Sequence, residues 1–178
     1  MQYPTTFKRL KSLVMIRYLL LAFALSFLSC KTTTYYISRH AEKSGNTMSN
    51  DPPLTPLGQK QAMDLQAYLA NKKIGAIYST NFLRTRATAQ PTSEFYHLAI
   101  SLYNASQSAG LVDSLKAHNK RNVLIVGHSN TVDDMLNEFI GNHVADDLPD
   151  AEYGSLFIVK KKSGSYSFRK IAVPRVTP

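Results

Sequence analysis

A single cysteine, Cys30, leaves the chain no intrachain disulfide. No pair of its histidines has the spacing of zinc ligands, so neither a metal nor a cofactor is expected. No apolar run approaches the roughly twenty residues that a membrane-crossing helix requires. The longest, Tyr18 to Leu28, has about eleven. There is no internal repeat and no low-complexity segment. Asp and Glu are missing from the first thirty positions, where Lys8, Arg9, Lys11 and Arg17 fall. The formal charge of +9 is therefore inflated by the N-terminus: without those four, 21 basic residues become 17 against 12 acidic ones, an excess of five. Such an excess suits small anionic ligands or a membrane surface and argues against a nucleic-acid track.

What is present at the N-terminus has the order of a secretory signal, with basic residues, then the short apolar run "YLLLAFALSFL", then "FLSC". The ending resembles the lipobox of bacterial lipoproteins, in which a small residue precedes a cysteine that is lipidated and becomes the mature N-terminus. Phe27 stands where that family prefers Leu. The resemblance implies a cleaved signal over residues 1–29, a lipidated Cys30, and a protein anchored to a bacterial membrane on the extracytoplasmic side of the cell envelope. "MIRYLLLAFALSFLSC" is a complete signal by itself, so either Met1 or Met15 serves as the start. The segment 30–34 would form a tether, spanning at most about 14 Å from Lys31 to Thr34, and residues 35–178 the folded domain, whose length and 44% hydrophobic content suit one core.

Past the tether, "YYIS" reads as a strand. Thr55 as N-cap, Pro56 at the first helical position and Leu57, Leu65 and Leu69 at helical spacing predict a helix to about Asn71. "IGAIYS" is a short buried strand, and "NFLRTRATAQPTSEFYHL" a helix interrupted or kinked near Pro91. "AISLY" is a weak strand, followed by the helix-like "AGLVDSLKAHNKR". "NVLIVG" is the clearest strand, followed by a helix that ends at Gly141. The final "GSLFIVKKKSGSYSFRKIAV" alternates as a hairpin closed by a Ser-Gly turn. This alternation predicts an α/β fold, with a mostly parallel sheet flanked by helices on both faces and a C-terminal antiparallel hairpin.

Two strands end in unusual residues. "YYISRH" and "VLIVGH" each place a histidine just past an apolar run, where open α/β sheets hold their ligands. If the strands are parallel neighbours, His40 and His128 meet at one edge. Arg39 precedes His40, and Arg84 follows another strand near the opening of a helix. Guanidiniums bind phosphate oxygens by forked hydrogen bonds, helix N-termini add backbone donors, and imidazole is a competent nucleophile.

Here the chain resembles the histidine phosphatase, or phosphoglycerate-mutase-like, superfamily over roughly Tyr35 to Val173. "SRHAEK" matches the family's Arg-His pair at Arg39 and His40. "STNFLRTRATA" matches its second arginine at Arg84, and "VGHS" its second histidine at His128. "PLTPLGQKQA" is similar to the segment that leads into its first helix. The resemblance implies metal-free phosphoryl transfer. His40 attacks phosphorus, Arg39, Arg84 and His128 hold the equatorial oxygens, and water releases phosphate from phospho-His40. It implies a phosphomonoester hydrolase acting on a small phosphorylated substrate. Two alternatives stay open: a phosphohistidine protein phosphatase, and a phosphate-recognising binding lipoprotein without turnover. The sequence departs from the family at Ser129, where strong acid phosphatases carry Asp, and at Asn104, where mutase-like members carry Glu. The proton donor is thus open between Glu42, ranked first, and Asp51. Arg86, His97, His118 and His143 are expected at the surface. Glu152 and Tyr153 stand where they can border the cleft, and the basic hairpin residues Lys160 to Lys162, Arg169 and Lys170 either protect a sheet edge or meet anionic lipid.

Overall fold

The computed structural model describes residues 32–45, 50–119 and 121–176, together with Met15 and Arg17. The expected signal and Cys30 otherwise lie outside the described residues. Contacts divide the chain between Lys31 and Thr32, and the second unit carries the fold. No helix among the described residues is long and apolar enough to cross a membrane.

Six strands form one sheet: β1 (Thr33–Arg39), β2 (Ile74–Thr80), β3 (Ile100–Tyr103), β4 (Asn122–Gly127), β5 (Ser155–Lys162) and β6 (Ser165–Ala172). Their spatial order is β3-β2-β4-β1-β5-β6. β1, β2, β3 and β4 are mutually parallel, while β5 runs antiparallel to β1 and β6 antiparallel to β5. The helices are α1 (Pro56–Leu69), α2 (Leu83–Tyr96), α3 (Ser108–His118) and α4 (Val132–Ile140).

Strand alternation sorts the core into two layers. Tyr35, Ile37, Val123 and Ile125 face Val112 and Leu115 of α3 and Met135, Leu136 and Phe139 of α4. Tyr36, Leu124, Val126 and Ile158 pack in the other layer with Leu65 and Leu69 of α1 and Ala89 of α2. β1 is buried along its whole length, which is why its run carries no polar alternation until Ser38 and Arg39.

Most expected elements are present, with local shifts. β1 begins at Thr33, two residues before the expected domain start, so Thr33 and Thr34 of the expected tether are sheet residues. α2 continues through Pro91 without interruption. Thr55 does cap α1, its Oγ1 accepting from the Gly58 N–H at 2.9 Å. Leu57, by contrast, is 43% exposed rather than part of the core stripe. Gly58 is required by a close approach, because a Cβ there would collide with the Glu42 carbonyl. The hairpin turns through Ser163 and Gly164, both at positive φ (51° and 83°), the geometry that matches the twist of paired strands.

Candidate functional site

Because β1 and β4 are adjacent and parallel, in register from Tyr35 with Val123 to Arg39 with Gly127, their carboxyl ends deliver His40 and His128 side by side. The His40 N–H donates to the Gly127 carbonyl at 2.9 Å, and the two imidazole centroids stand 5.6 Å apart. α2 begins just past β2 and brings Arg84 to the same edge. The four expected residues Arg39, His40, Arg84 and His128 line one cleft of about 310 Å³, together with Phe82 and Asp150.

The hydrogen bonds fix each imidazole differently. His40 Nδ1 lies 2.7 Å from the Ala41 carbonyl, which can only accept, so Nδ1 carries the proton and Nε2 keeps a lone pair. At His128, Arg84 Nη2 can only donate to Nδ1, at 3.4 Å. The His128 proton is then on Nε2, which donates to Thr80 Oγ1 at 2.9 Å. That hydroxyl donates onward to Thr85 Oγ1 at 3.0 Å, and Thr85 Oγ1 donates to the Thr80 carbonyl at 2.9 Å.

The surroundings hold both rings neutral. Burial, with His40 only 3% exposed, depresses its pKa to about 3; the Ala41 carbonyl pulls the other way, and the charges of Arg39 and Arg84 add to the depression. His128 is lowered to about 4, first by burial and then by Arg84 and Arg39.

The guanidiniums are held from behind. Arg39 Nη1 donates to the carbonyls of Pro149 (2.8 Å) and Glu152 (3.1 Å), and its Cζ lies 4.4 Å from the Tyr153 ring centroid. Arg84 Nη1 donates to Asp51 Oδ1 at 3.2 Å, and its Cζ lies 4.4 Å from the Phe82 ring centroid. Both Nε atoms are buried without a partner. Two unpaired cationic donors beside a neutral imidazole lone pair suit an incoming anion with an electrophilic centre, and phosphate chemistry meets both requirements.

The carboxylates expected as proton donors are engaged elsewhere. Glu42 Oε1 accepts from Thr55 Oγ1 at 2.8 Å, and Asp51 accepts the Leu83 N–H on both oxygens at 2.9 Å, capping α2 while holding Arg84. Neither lines the cleft; among the described residues the carboxylate that does is Asp150, fully exposed and 3.9 Å from Arg39 Nη2. Asn104 caps the short 3₁₀ turn Ala105–Gln107, whereas Ser129 lines the cleft. Tyr153 borders His40 at 6.0 Å between centroids, while the Glu152 carboxylate turns to Ser155 and Lys170. Arg86 donates to Asn81 Oδ1 at 3.0 Å, away from the cleft, and His97, His118 and His143 are exposed.

Residues 35–105 match the family model of the Histidine phosphatase superfamily (branch 1). No curated protein matches the sequence. Among solved structures the chain is similar to the protein histidine phosphatase SixA complexed with tungstate, at 17% identity and TM-score 0.63 over 79% of this chain and 97% of that one. It is also similar to a mycobacterial glucosyl-3-phosphoglycerate phosphatase, at 16% identity and TM-score 0.61 over 82% of this chain and 100% of that one. Bacillus stearothermophilus YhfR aligns at 20% identity and TM-score 0.62, over 82% of this chain and 98% of that one. Arg39, His40 and Arg84 fall inside the segment that the family model matches, and the similar structures share the fold over about four fifths of this chain.

Proposed function

We propose that the protein is a metal-independent phosphatase that hydrolyses small phosphomonoesters through a phosphohistidine at His40. The observation that carries this reading is the free Nε2 of His40, its tautomer fixed by the Ala41 carbonyl, between two guanidiniums that each have an unpaired Nε–H. In the first step the Nε2 lone pair forms the N–P bond as the ester P–O bond breaks. The leaving oxygen takes a proton from Asp150, and the equatorial oxygens lie against Arg39 and Arg84, whose Nη2 is held by His128 Nδ1. In the second step water attacks phosphorus and the N–P electrons return to Nε2. The Asp150 carboxylate takes the water proton, so the cycle closes without a cofactor. The phosphatases among the similar structures support this class of reaction.

The test is direct. After incubation with substrate and an acid-avoiding quench, mass spectrometry of the full chain should find one phosphate on His40, and chelators should leave turnover unchanged. Wild-type turnover by His40→Ala would overturn the reading.

A second reading, a protein phosphohistidine phosphatase, is favoured by the likeness to SixA and by the want of a buried carboxyl acid in the cleft, since a phosphoramidate needs little help in leaving. A panel holding both phosphohistidine and alkyl phosphates separates the two. Binding without turnover would leave the free Nε2 of His40 unexplained. We further propose export and lipid anchoring through Cys30, supported by the "LLLAFALSFLSC" run. Labelled fatty acid should enter the wild type and not Cys30→Ala, and recovery of an unlipidated cytosolic wild type would end this part of the reading.

A further inference from the structure

At the end of the sheet opposite the cleft, the first residues of β1, β2 and β4 meet the tip of the β5–β6 hairpin. Thr33 and Thr34 pair with Lys161 and Lys160. The Thr34 N–H donates to Asn122 Oδ1 at 2.9 Å, and Asn122 Nδ2 donates to the Lys72 carbonyl at 2.7 Å. Arg121 reaches the Gly75 carbonyl at 3.3 Å. These contacts gather Lys72, Lys73, Arg121, Lys160, Lys161 and Lys162 about one pole. None of the six is among the ion pairs of the described residues, which involve Arg39, Arg84, Lys116, His143 and Lys170. Asp51, Asp150 and Glu152 belong instead to the cleft end, and Glu138, which is near the pole, is paired with Lys116. Lys161 is half-buried and donates to the Lys116 carbonyl at 2.6 Å, whereas Lys73, Arg121, Lys160 and Lys162 are exposed and offer their charge to an anionic surface.

The chain also enters the domain at this pole. Thr33, the first residue of β1, is three steps past Cys30, a reach of at most about 11 Å. Ahead of Cys30 lies the apolar run Tyr18 to Leu28. The other end of β1, next to His40, is roughly 20 Å away for seven residues of strand. We propose that the basic pole docks on an anionic lipid headgroup layer and so holds the cleft facing away from the membrane, open to soluble substrate. The orientation deepens the membrane-anchoring reading of Cys30 and rests on it, but the charge contact has its own test. Lys or Arg near an anionic bilayer adds about fivefold each to partitioning.

The purified full chain should be floated with phosphatidylcholine vesicles, with and without phosphatidylglycerol, at low and high salt. The wild type should favour the anionic vesicles and lose that preference in salt. A variant carrying Lys72→Gln, Lys73→Gln, Lys160→Gln and Lys162→Gln should bind anionic vesicles at least about tenfold less, match the wild type on neutral ones, and keep aryl phosphate turnover. Lys160→Gln with Lys162→Gln alone, both exposed, should give a smaller loss in the same direction. Hydrogen exchange on anionic vesicles should slow at residues 72–73 and 160–165 and not at 149–153. Equal binding by wild type and both variants, protection at 149–153 instead, or retention by RNA with indifference to anionic lipid would each overturn the proposal. Fatty-acid labelling of Cys30 separates the two ideas. Lipidated protein without charge dependence sinks the pole alone, and charge-dependent binding by unlipidated protein sinks the anchor alone.

Discussion

The ends of β1 and β4 are near copies in sequence, "ISRH" and "IVGH", and lie side by side, yet they present opposite faces of the same ring. At the end of β1 a backbone carbonyl takes Nδ1 and frees Nε2. At the end of β4 a threonine hydroxyl takes Nε2 and turns Nδ1 toward Arg84. The difference arises in the chain just past each strand. His40 is 3% exposed and its partner is the carbonyl of the next residue, so it is set by local backbone. His128 sits at the start of a turn, its N–H bonded to Thr131 Oγ1 at 2.9 Å, and its ring is set by β2 and α2. In the proposed mechanism the first ring attacks, while the second, which accepts from Arg84 Nη2, has the more replaceable supports.

The comparison breaks hardest at the two rings themselves. His40→Asn keeps an N–H for the Ala41 carbonyl but has no nucleophile, and steady-state turnover should fall by more than about 10⁴-fold. His128→Ala removes the Nδ1 acceptor that holds Arg84 Nη2 and should cost about 10² to 10³, as for the displacement of a single transition-state donor. Phospho-His40 should still form in the second variant. Comparable losses in both, without an adduct in either, would mean that the rings act as one unit.

Proton donation comes next in size. A general acid contributes about 10² to 10⁴ and matters most for poor leaving groups. Asp150→Asn should therefore depress alkyl phosphate turnover about 10²-fold and leave nitrophenyl phosphate nearly unchanged. Glu42→Gln, bound as it is to Thr55, should act weakly and equally on both. The reverse pattern in parallel assays would return the role to Glu42.

A smaller change probes the support of the second ring. Thr80→Val keeps the shape of the side chain but removes the acceptor for His128 Nε2–H, freeing the ring to place its proton on Nδ1, against Arg84. Loss of one orienting hydrogen bond should cost about tenfold, chiefly in KM. A matching fall in kcat would show that His128 orientation also controls the chemical step.

These supports mark where sequence legibility ends. A strand closing on Arg-His, another on Gly-His, and an arginine at a helix opening locate the charged edge by topology alone. Asp150 was not legible in this way. It belongs to a loop fixed by the Leu148 N–H on the Ser129 carbonyl at 3.1 Å and by burial of Leu148, contacts about twenty residues apart in the chain with no local pattern. Glu42 looked available for the opposite reason: nothing in "RHAEK" tells that Thr55, while capping α1, also holds its carboxylate.

The smallest effect is on stability, and it is read through pH. Both imidazoles have folded pKa values below the unfolded value of about 6.5, so the unfolded chain binds more protons as the solution is acidified. Their stabilisation is complete above pH 6.5 and declines as pH falls toward the folded values of about 3 and about 4. From pH 7 to 5 each ring should forfeit about 2 kcal/mol, because both folded values lie below 5. Asp133, buried in the first turn of α4 with Oδ1 unpartnered, acts with the other sign: burial raises it to about 6, so the folded state takes up its proton first and gains on acidification. The wild-type slope is thus a difference of opposing effects, and variants separate them. In urea titrations at pH 7 and 5, His40→Asn should lose less on acidification than the wild type, and Asp133→Asn should lose more. An unchanged slope in His40→Asn would mean that water reaches the first ring freely, and the contrast between the two strand ends would then rest on hydrogen bonding alone.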